Sequence, residues 1–181
     1  MIDKNIISLD IEFEQPSQEI IQVGCVVGNL NSGQILQEYC KHVNIGKPIS
    51  EYIQKLTGIR QSDIDNGTTI YEIYEDLKKL HVEYNCFRNC ICWGGGDSEA
   101  IRNALHLDNE IFLFGRRWVD VKTVFISYMW SKGESPRSGL AKSLIRMGMS
   151  FNGSKHNAKD DARNTFYIYR KLLQEMSTDR V

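Results

Sequence analysis

Asp10 and Glu12 lie two positions apart in an apolar run, residues 6–13 (IISLDIEF). Read as a strand, the run alternates its side chains and puts both carboxylates on one face. A carboxylate without a partner is costly among apolar side chains. Two of them held close repel unless a cation lies between them. Oxygen donors of this kind suit Mg²⁺ or Mn²⁺ rather than zinc. The plainer alternative is a strand end whose acids sit in water. Asp97 is a third acid, directly after Gly94, Gly95 and Gly96. Glycines let the backbone approach a ligand closely, although an Asp there also suits a helix N-cap. His156 and Asp161 follow, five residues apart, in a polar segment with Asn152 and Gly153 just ahead. A histidine in such a loop can move protons near neutral pH. The alternative there is a surface histidine and a capping aspartate.

These residues need elements to hold them. Residues 6–13, 19–30 and 34–43 read as three strands, the last two joined at Asn31-Ser32-Gly33, and together they predict an antiparallel meander. Ser50 is expected to cap a short helix through Leu56 that Gly58 ends. Ile70, Ile73, Tyr74, Leu77 and Leu80 recur at helical spacing, predicting an amphipathic helix over residues 69–84. Residues 90–93 (CICW) read as a short strand ending in the glycines, and Asp97 or Ser98 is expected to cap a helix through Leu107. Residues 112–118 fit strand or loop. Helices are expected over residues 120–130, 138–147 and 161–176. A meander followed by alternating strand and helix predicts a mixed sheet with helices packed on it.

Composition sets the frame. The chain has 181 residues, 41% hydrophobic and 25% charged, which suits one globular domain over residues 1–181. No apolar run approaches the ~20 residues that span a bilayer, and the first residues lack the pattern of a signal peptide. The expected location is cytoplasmic, with no membrane partner. Net charge is −1, but residues 1–100 carry 8 Lys/Arg against 15 Asp/Glu, while residues 101–181 carry 14 against 8. That asymmetry fits an acidic metal site beside a cationic phosphate track, or a plain scatter over a solvated surface. Five cysteines, an odd number with no C-x-x-C spacing among Cys86, Cys90 and Cys92, argue for buried reduced thiols over disulfides or zinc.

In order, the motifs are D-x-E, G-D after a strand, and H-x₄-D at a helix start. With Glu19-Ile20-Ile21-Gln22-Val23-Gly24, Leu56-Thr57-Gly58-Ile59 and His156-Asn157-Ala158-Lys159-Asp160-Asp161-Ala162, they span roughly residues 6–175. The sequence resembles the DEDDh exonucleases of the ribonuclease-H-like fold, a group that includes proofreading exonucleases, ribonuclease T and oligoribonuclease. The resemblance implies an α/β fold, a mixed sheet with a three-strand antiparallel meander, parallel strands and flanking helices. It implies 3′–5′ hydrolysis of single-stranded DNA or RNA at the 3′ end, releasing nucleoside 5′-monophosphates. Asp10, Glu12, Asp97 and Asp161 would hold two divalent cations, Mg²⁺ or Mn²⁺, about 4 Å apart. His156 would be the general base.

Further roles follow from the same likeness. The backbone beside Glu12, flanked by Ile11 and Phe13, and the loop of Leu56, Thr57 and Gly58 would cradle the terminal nucleotide. Phe13 or Leu56 would stack on bases, though Leu56 equally suits core packing. By position rather than by likeness, Lys155, with Lys142, Arg146, Lys159 and Arg163, surrounds the active-site segment in sequence and would line the phosphate track, with some of the five simply facing solvent. Trp93, Trp118 and Trp130 are expected in core or interface. Asp160 is expected to be exposed or to cap the helix. Ile11 and Phe13 replace a Thr-rich first motif, and the triple glycine replaces a more usual pair. Both departures bear on substrate preference rather than chemistry. A homodimer is a further expectation from the family. Two other readings remain: a non-enzymatic regulatory or nucleic-acid-binding module on this fold, and a proofreading subunit of a polymerase complex. The complete set of four acids and a histidine favours the enzyme.

Overall fold

The computed structural model describes residues 4–107, 117–135 and 139–178. β1 (Asn5–Phe13), β2 (Ile20–Asn29) and β3 (Ile35–His42) form the expected antiparallel meander. β4 (Ile91–Cys92) joins β1 in parallel, and β5 (Val119–Asp120) joins β4 in parallel. The sheet order is β3-β2-β1-β4-β5, which puts β1 at the centre.

The helices are α1 (Glu51–Thr57), α2 (Gln61–Asp65), α3 (Ile70–Glu83), α4 (Asp97–Ala104), α5 (Val121–Ser131), α6 (Leu140–Arg146) and α7 (Ala158–Thr178). Ser50 caps α1 through the Ile53 amide, and Gly58 ends it at φ 77°. Thr69 and Glu72 form a reciprocal capping box at the start of α3. α2 was not expected. It is five residues long, has no apolar periodicity, and is held by the reciprocal Arg60–Asp63 contacts at its start. The cap of α4 also differs from expectation: it is Gly96, at φ 124°, with no side-chain cap bond. Of residues 112–118, those numbered 112–116 lie outside the described residues, and so does Ser138.

β1 divides the core by its alternation. Ile7, Leu9 and Ile11 point to one face, where Val23, Ile73, Leu77 and Ile101 bury them under α3 and α4. Ile6 points to the other face, toward Val26, Phe125, Leu144, Phe166 and Leu172 under α5, α6 and α7. Ser8, Asp10 and Glu12 share that second face by their spacing. The register of β1 on β2 slips between Glu12 and Phe13, which pair with Gln22 and Ile20. The bulge leaves Ile21 unpaired in the ladder and turns it to a third cluster with Ile49, Ile53, Ile59 and Ile64 beneath α1 and α2. Trp93 and Trp118 pack against core clusters, whereas Trp130 is 65% exposed. No described helix is long and apolar enough to cross a membrane.

Candidate active site

α7 reaches the sheet at Gly24. A Cβ on Gly24 would lie 2.1 Å from Lys159 N and 2.3 Å from Ala158 C, so only glycine admits the helix so close. Gly24 is the β2 partner of Asp10. This contact therefore brings the first turn of α7 against the strand that carries Asp10 and Glu12. Gln22, the partner of Glu12, fixes the same turn: its buried Oε1 accepts from Ala158 N–H at 2.9 Å. The Gln22 amide is itself oriented by a 2.9 Å contact between its Nε2 and His42 Nε2.

Asp161 lies one turn into α7 and is not its cap. Asn157 takes that role, its Oδ1 accepting from Asp160 N–H at 3.3 Å. Asp161 Oδ2 accepts from His156 N–H at 2.9 Å. His156 is exposed and sits at φ 61°, a left-handed conformation that costs a β-carbon-bearing residue energy and is concentrated at functional sites. Glu12, His156 and Asp161 each present a ligand atom, all within 4.8 Å of one another. Among the described residues this is the only such group of three found.

Asp97 is the first residue of α4. Its approach is set by Asp120, the cap of α5, whose Oδ1 accepts from Gly94 N–H at 3.0 Å and from Lys122 N–H at 2.9 Å. Asp97 Oδ2 is buried without a hydrogen-bond partner. A buried carboxylate oxygen with no donor is costly unless something else neutralises it.

The electrostatics agree. Burial, then Asp97, Asp161 and Glu12, push Asp10 well above the ordinary carboxylate range. Burial, then Asp161 and Asp97, raise Glu12 to about 7. Burial, then Asp120, raise Asp97 to about 7. Burial raises Asp161 to about 6 against the opposing His156 amide bond. Each acid is thus held against its own ionisation by burial, with Asp10 and Glu12 also opposed by the other acids of the set. An oxygen-only acid set with one orphaned buried oxygen fits hard divalent cations.

Two cavities open beside the acids. One of about 610 Å³ runs along Phe13, Ile20, Ile45, Ile70 and Ala100 to Gly96 and Asp97. The other, about 340 Å³, lies between Leu140, Lys142, Phe151, Lys155, His156 and Asp161.

Not every anticipated residue reaches the site. Ile11 is 6% exposed and its side chain fills the core opposite Asp10, so only its backbone faces the acids' strand edge. Phe13 lines the larger cavity. Leu56, Thr57 and Gly58 line neither cavity. The Thr57 hydroxyl donates to Ile53 O at 2.8 Å and accepts from Ile59 N–H at 3.1 Å, and Leu56 is 37% exposed. Of the cations, Lys142 and Lys155 line the smaller cavity. Arg146 lies 3.8 Å from Glu134. Lys159 and Arg163 pair with Glu38, at 3.5 and 2.6 Å. Asp160 is neither exposed nor a cap: it is half-buried and paired with Arg163 at 2.6 Å. All five cysteines are free. Burial pushes the Cys86 thiol up to about 11 and raises Cys25, Cys90 and Cys92 further, which keeps them protonated and inert.

Sequence reasoning placed Gln22 and Gly24 in the second strand without seeing what they touch, and it gave Asp120 no role; their contacts with α7 and Gly94 cross between segments, which spacing does not encode.

Known proteins resemble this chain in sequence and in fold. The exonuclease family model matches residues 7–169. The chain is 27% identical over 183 residues to human ERI1 exoribonuclease 2, covering 88% of this chain and 26% of that protein. It thus spans about a quarter of that relative's length. The nuclease domain of 3′hExo, a DEDDh family member bound to rAMP, superposes with a TM-score of 0.78 at 22% identity, covering 95% of this chain and 92% of that one. Cell-death related nuclease 4 gives 0.82 at 18% identity, covering 95% and 64%. The chain belongs to the exonuclease family, and its fold is that of the DEDDh nucleases.

Proposed function

We propose that the protein is a 3′–5′ exonuclease acting on single-stranded nucleic acid and releasing nucleoside 5′-monophosphates. The observation that carries this reading is the meeting of Glu12, His156 and Asp161 within 4.8 Å, together with the orphaned Oδ2 of Asp97, whose charge acts on Glu12. Residues 1–181 act as one exonuclease domain. Asp10, Glu12, Asp97 and Asp161 would hold two divalent cations, Mg²⁺ or Mn²⁺. Such ions lower the pKa of a bound water and stabilise the leaving 3′ oxygen. His156 takes the proton of the attacking water, and its exposed loop leaves room to pass that proton to solvent. The backbone amide of His156 meanwhile steadies the Asp161 carboxylate.

The terminal base fits the larger cavity, against Phe13 and Ile70. Lys142 and Lys155 meet backbone phosphates in the smaller one. RNA is the preferred polymer, since the human relative is named an exoribonuclease. The test uses matched 5′-labelled single-stranded RNA and DNA with Mg²⁺, Mn²⁺ or EDTA, and Asp10→Ala as control. The expected result is a metal-dependent ladder that shortens one nucleotide at a time from the 3′ end, faster on RNA. No cleavage of either polymer in either metal would overturn the reading.

His156→Ala is expected to lose about 10²–10⁴-fold in turnover, the usual contribution of a general base. Mn²⁺ affinity, measured by calorimetry, should stay close to that of the wild type. Undiminished turnover removes the proton-transfer role.

A further inference from the structure

The turn that carries His156 is tied to α7 at several points. Asn164 is buried; it donates from Nδ2 to Asn152 O at 2.8 Å and accepts from Asn152 N–H at 2.9 Å. It also donates to Asp160 O at 2.7 Å. Ser154 N–H donates to Asp160 Oδ2 at 2.9 Å. Gly153 adopts φ 97°, and a Cβ there would lie 2.3 Å from that same oxygen. The turn is therefore moulded around the Asp160 carboxylate at Gly153 and Ser154, the latter two residues before His156.

Asp160 is held in turn. Arg163 Nη1 donates to its Oδ1 at 2.6 Å, and Arg163 Nε donates to Glu38 Oε1 at 2.6 Å. The Arg163 side chain is only 12% exposed. Glu38 belongs to β3, at the edge of the sheet. A continuous line of charge-assisted bonds thus runs from the sheet edge through Arg163 and Asp160 to Ser154. Such bonds are short and directional, and the guanidinium fork fixes both carboxylates in one plane. Arg163 is the one cation seen in an ion pair with Asp160 among the described residues, so without the guanidinium Asp160 would stand half-buried beside Asp161 with that pair lost. Its place in the sequence suggested a phosphate contact for Arg163, but its Nε and Nη1 are both engaged by carboxylates.

We propose that Arg163, acting through Asp160, is a positioning residue that locks the 152–156 turn and so places the His156 imidazole over Glu12 and Asp161. The proposal rests on the general-base reading of His156 above. A misplacement of about 1 Å in a reacting group can cost about 10²-fold. A phosphate contact would act on substrate affinity instead, with strong salt dependence.

Arg163→Ala tests this in two measurements. In steady-state hydrolysis of labelled single-stranded RNA, kcat should fall roughly tenfold to 10²-fold, with KM and Mn²⁺ affinity little changed. Dilute guanidinium chloride should restore part of kcat in the variant, where matched sodium chloride does not. Independently, amide hydrogen exchange followed by NMR should quicken at Ser154 while α5 and the sheet keep their protection. That second readout stands whether or not the protein hydrolyses nucleic acid. Unchanged exchange at Ser154 overturns the lock itself. Faster exchange with unchanged kcat overturns its service to His156. A raised KM with kcat intact returns Arg163 to the phosphate track. A wild-type protein without nuclease activity sinks the exonuclease reading, while the exchange result still decides whether Arg163 holds the turn.

Discussion

Asp10→Asn is expected to remove hydrolysis and, in the absence of metal, to raise the melting temperature at neutral pH. The first effect is the loss of a cation ligand at the centre of the acid set, worth several kcal/mol of transition-state stabilisation, or about 10³-fold in rate. The second comes from burial of the Asp10 carboxylate, to which repulsion from Asp97, Asp161 and Glu12 adds. Burial and the neighbouring acids hold Asp10 well above, Glu12 and Asp97 at about 7, and Asp161 at about 6. In the unfolded chain these groups return to about 4. An acid whose pKa is raised by folding favours the folded state while it is protonated. That contribution is fully present below about pH 4 and is lost as the pH rises through 6 to 7.

The metal-free wild type should therefore lose melting temperature between about pH 5 and 8, and Mg²⁺ or Mn²⁺ should restore it. Asp10→Asn removes one charge from the cluster, so its melting temperature should fall less over the same range. Comparing the two proteins in EDTA isolates the acid set from other titrating groups. A wild-type curve that is flat in this window, with no gain from Asp10→Asn, would show that the acids do not strain the metal-free protein.

Gly24→Ala has the largest expected effect on folding for its size. The added methyl would lie 2.1 Å from Lys159 N and 2.3 Å from Ala158 C, both backbone atoms of the first turn of α7. Neither can move aside as a flexible side chain would. Overpacking of this kind costs about 1–3 kcal/mol, and here the relief must come from lifting the helix off β2. The lift would also stretch the 2.9 Å bond from Ala158 N–H to Gln22 and carry Asp161 away from Asp10 and Glu12. The variant should unfold several degrees below the wild type. Its turnover should fall about 10²-fold at temperatures where it remains folded. Circular dichroism and the RNA ladder read these separately. Wild-type stability and turnover together would mean that α7 has slack at Gly24 and that the acid spacing does not depend on this contact.

These two variants also separate what is local from what is not. Asp10 and Glu12 were legible because an acid in an Ile/Leu strand is chemically conspicuous, and strand alternation alone puts both on one face. Asp161 and His156 were legible as a spaced pair across the start of a helix. The strand and helix runs were legible because apolar periodicity of two or of 3.6 residues is a local property. α2 was not, since five residues with no apolar stripe are held by the Asp63 carboxylate accepting from the Arg60 amide and guanidinium rather than by a pattern.

The bland alternatives for Asp97 and Asp161 could be discarded only in three dimensions. Both were plausible helix caps by position, and the caps are instead Gly96 and Asn157. Arg163 shows the same limit from the other side. Its place in the sequence beside Asp161 suggests a phosphate contact, but its partner Glu38 is 125 residues away.

The sequence by itself determined the candidate acids, the order of the elements and the face of β1 that bears Asp10 and Glu12, because these follow from residue type and local period. Only the tertiary structure decided that Glu12, His156 and Asp161 meet, which cations remain beside them and what holds the histidine turn. Those outcomes depend on contacts such as Gly24 against Lys159 and Gln22 against Ala158, the latter pair 136 residues apart. Close approach of two backbones is a matter of packing across the sheet, and no spacing within one segment encodes it.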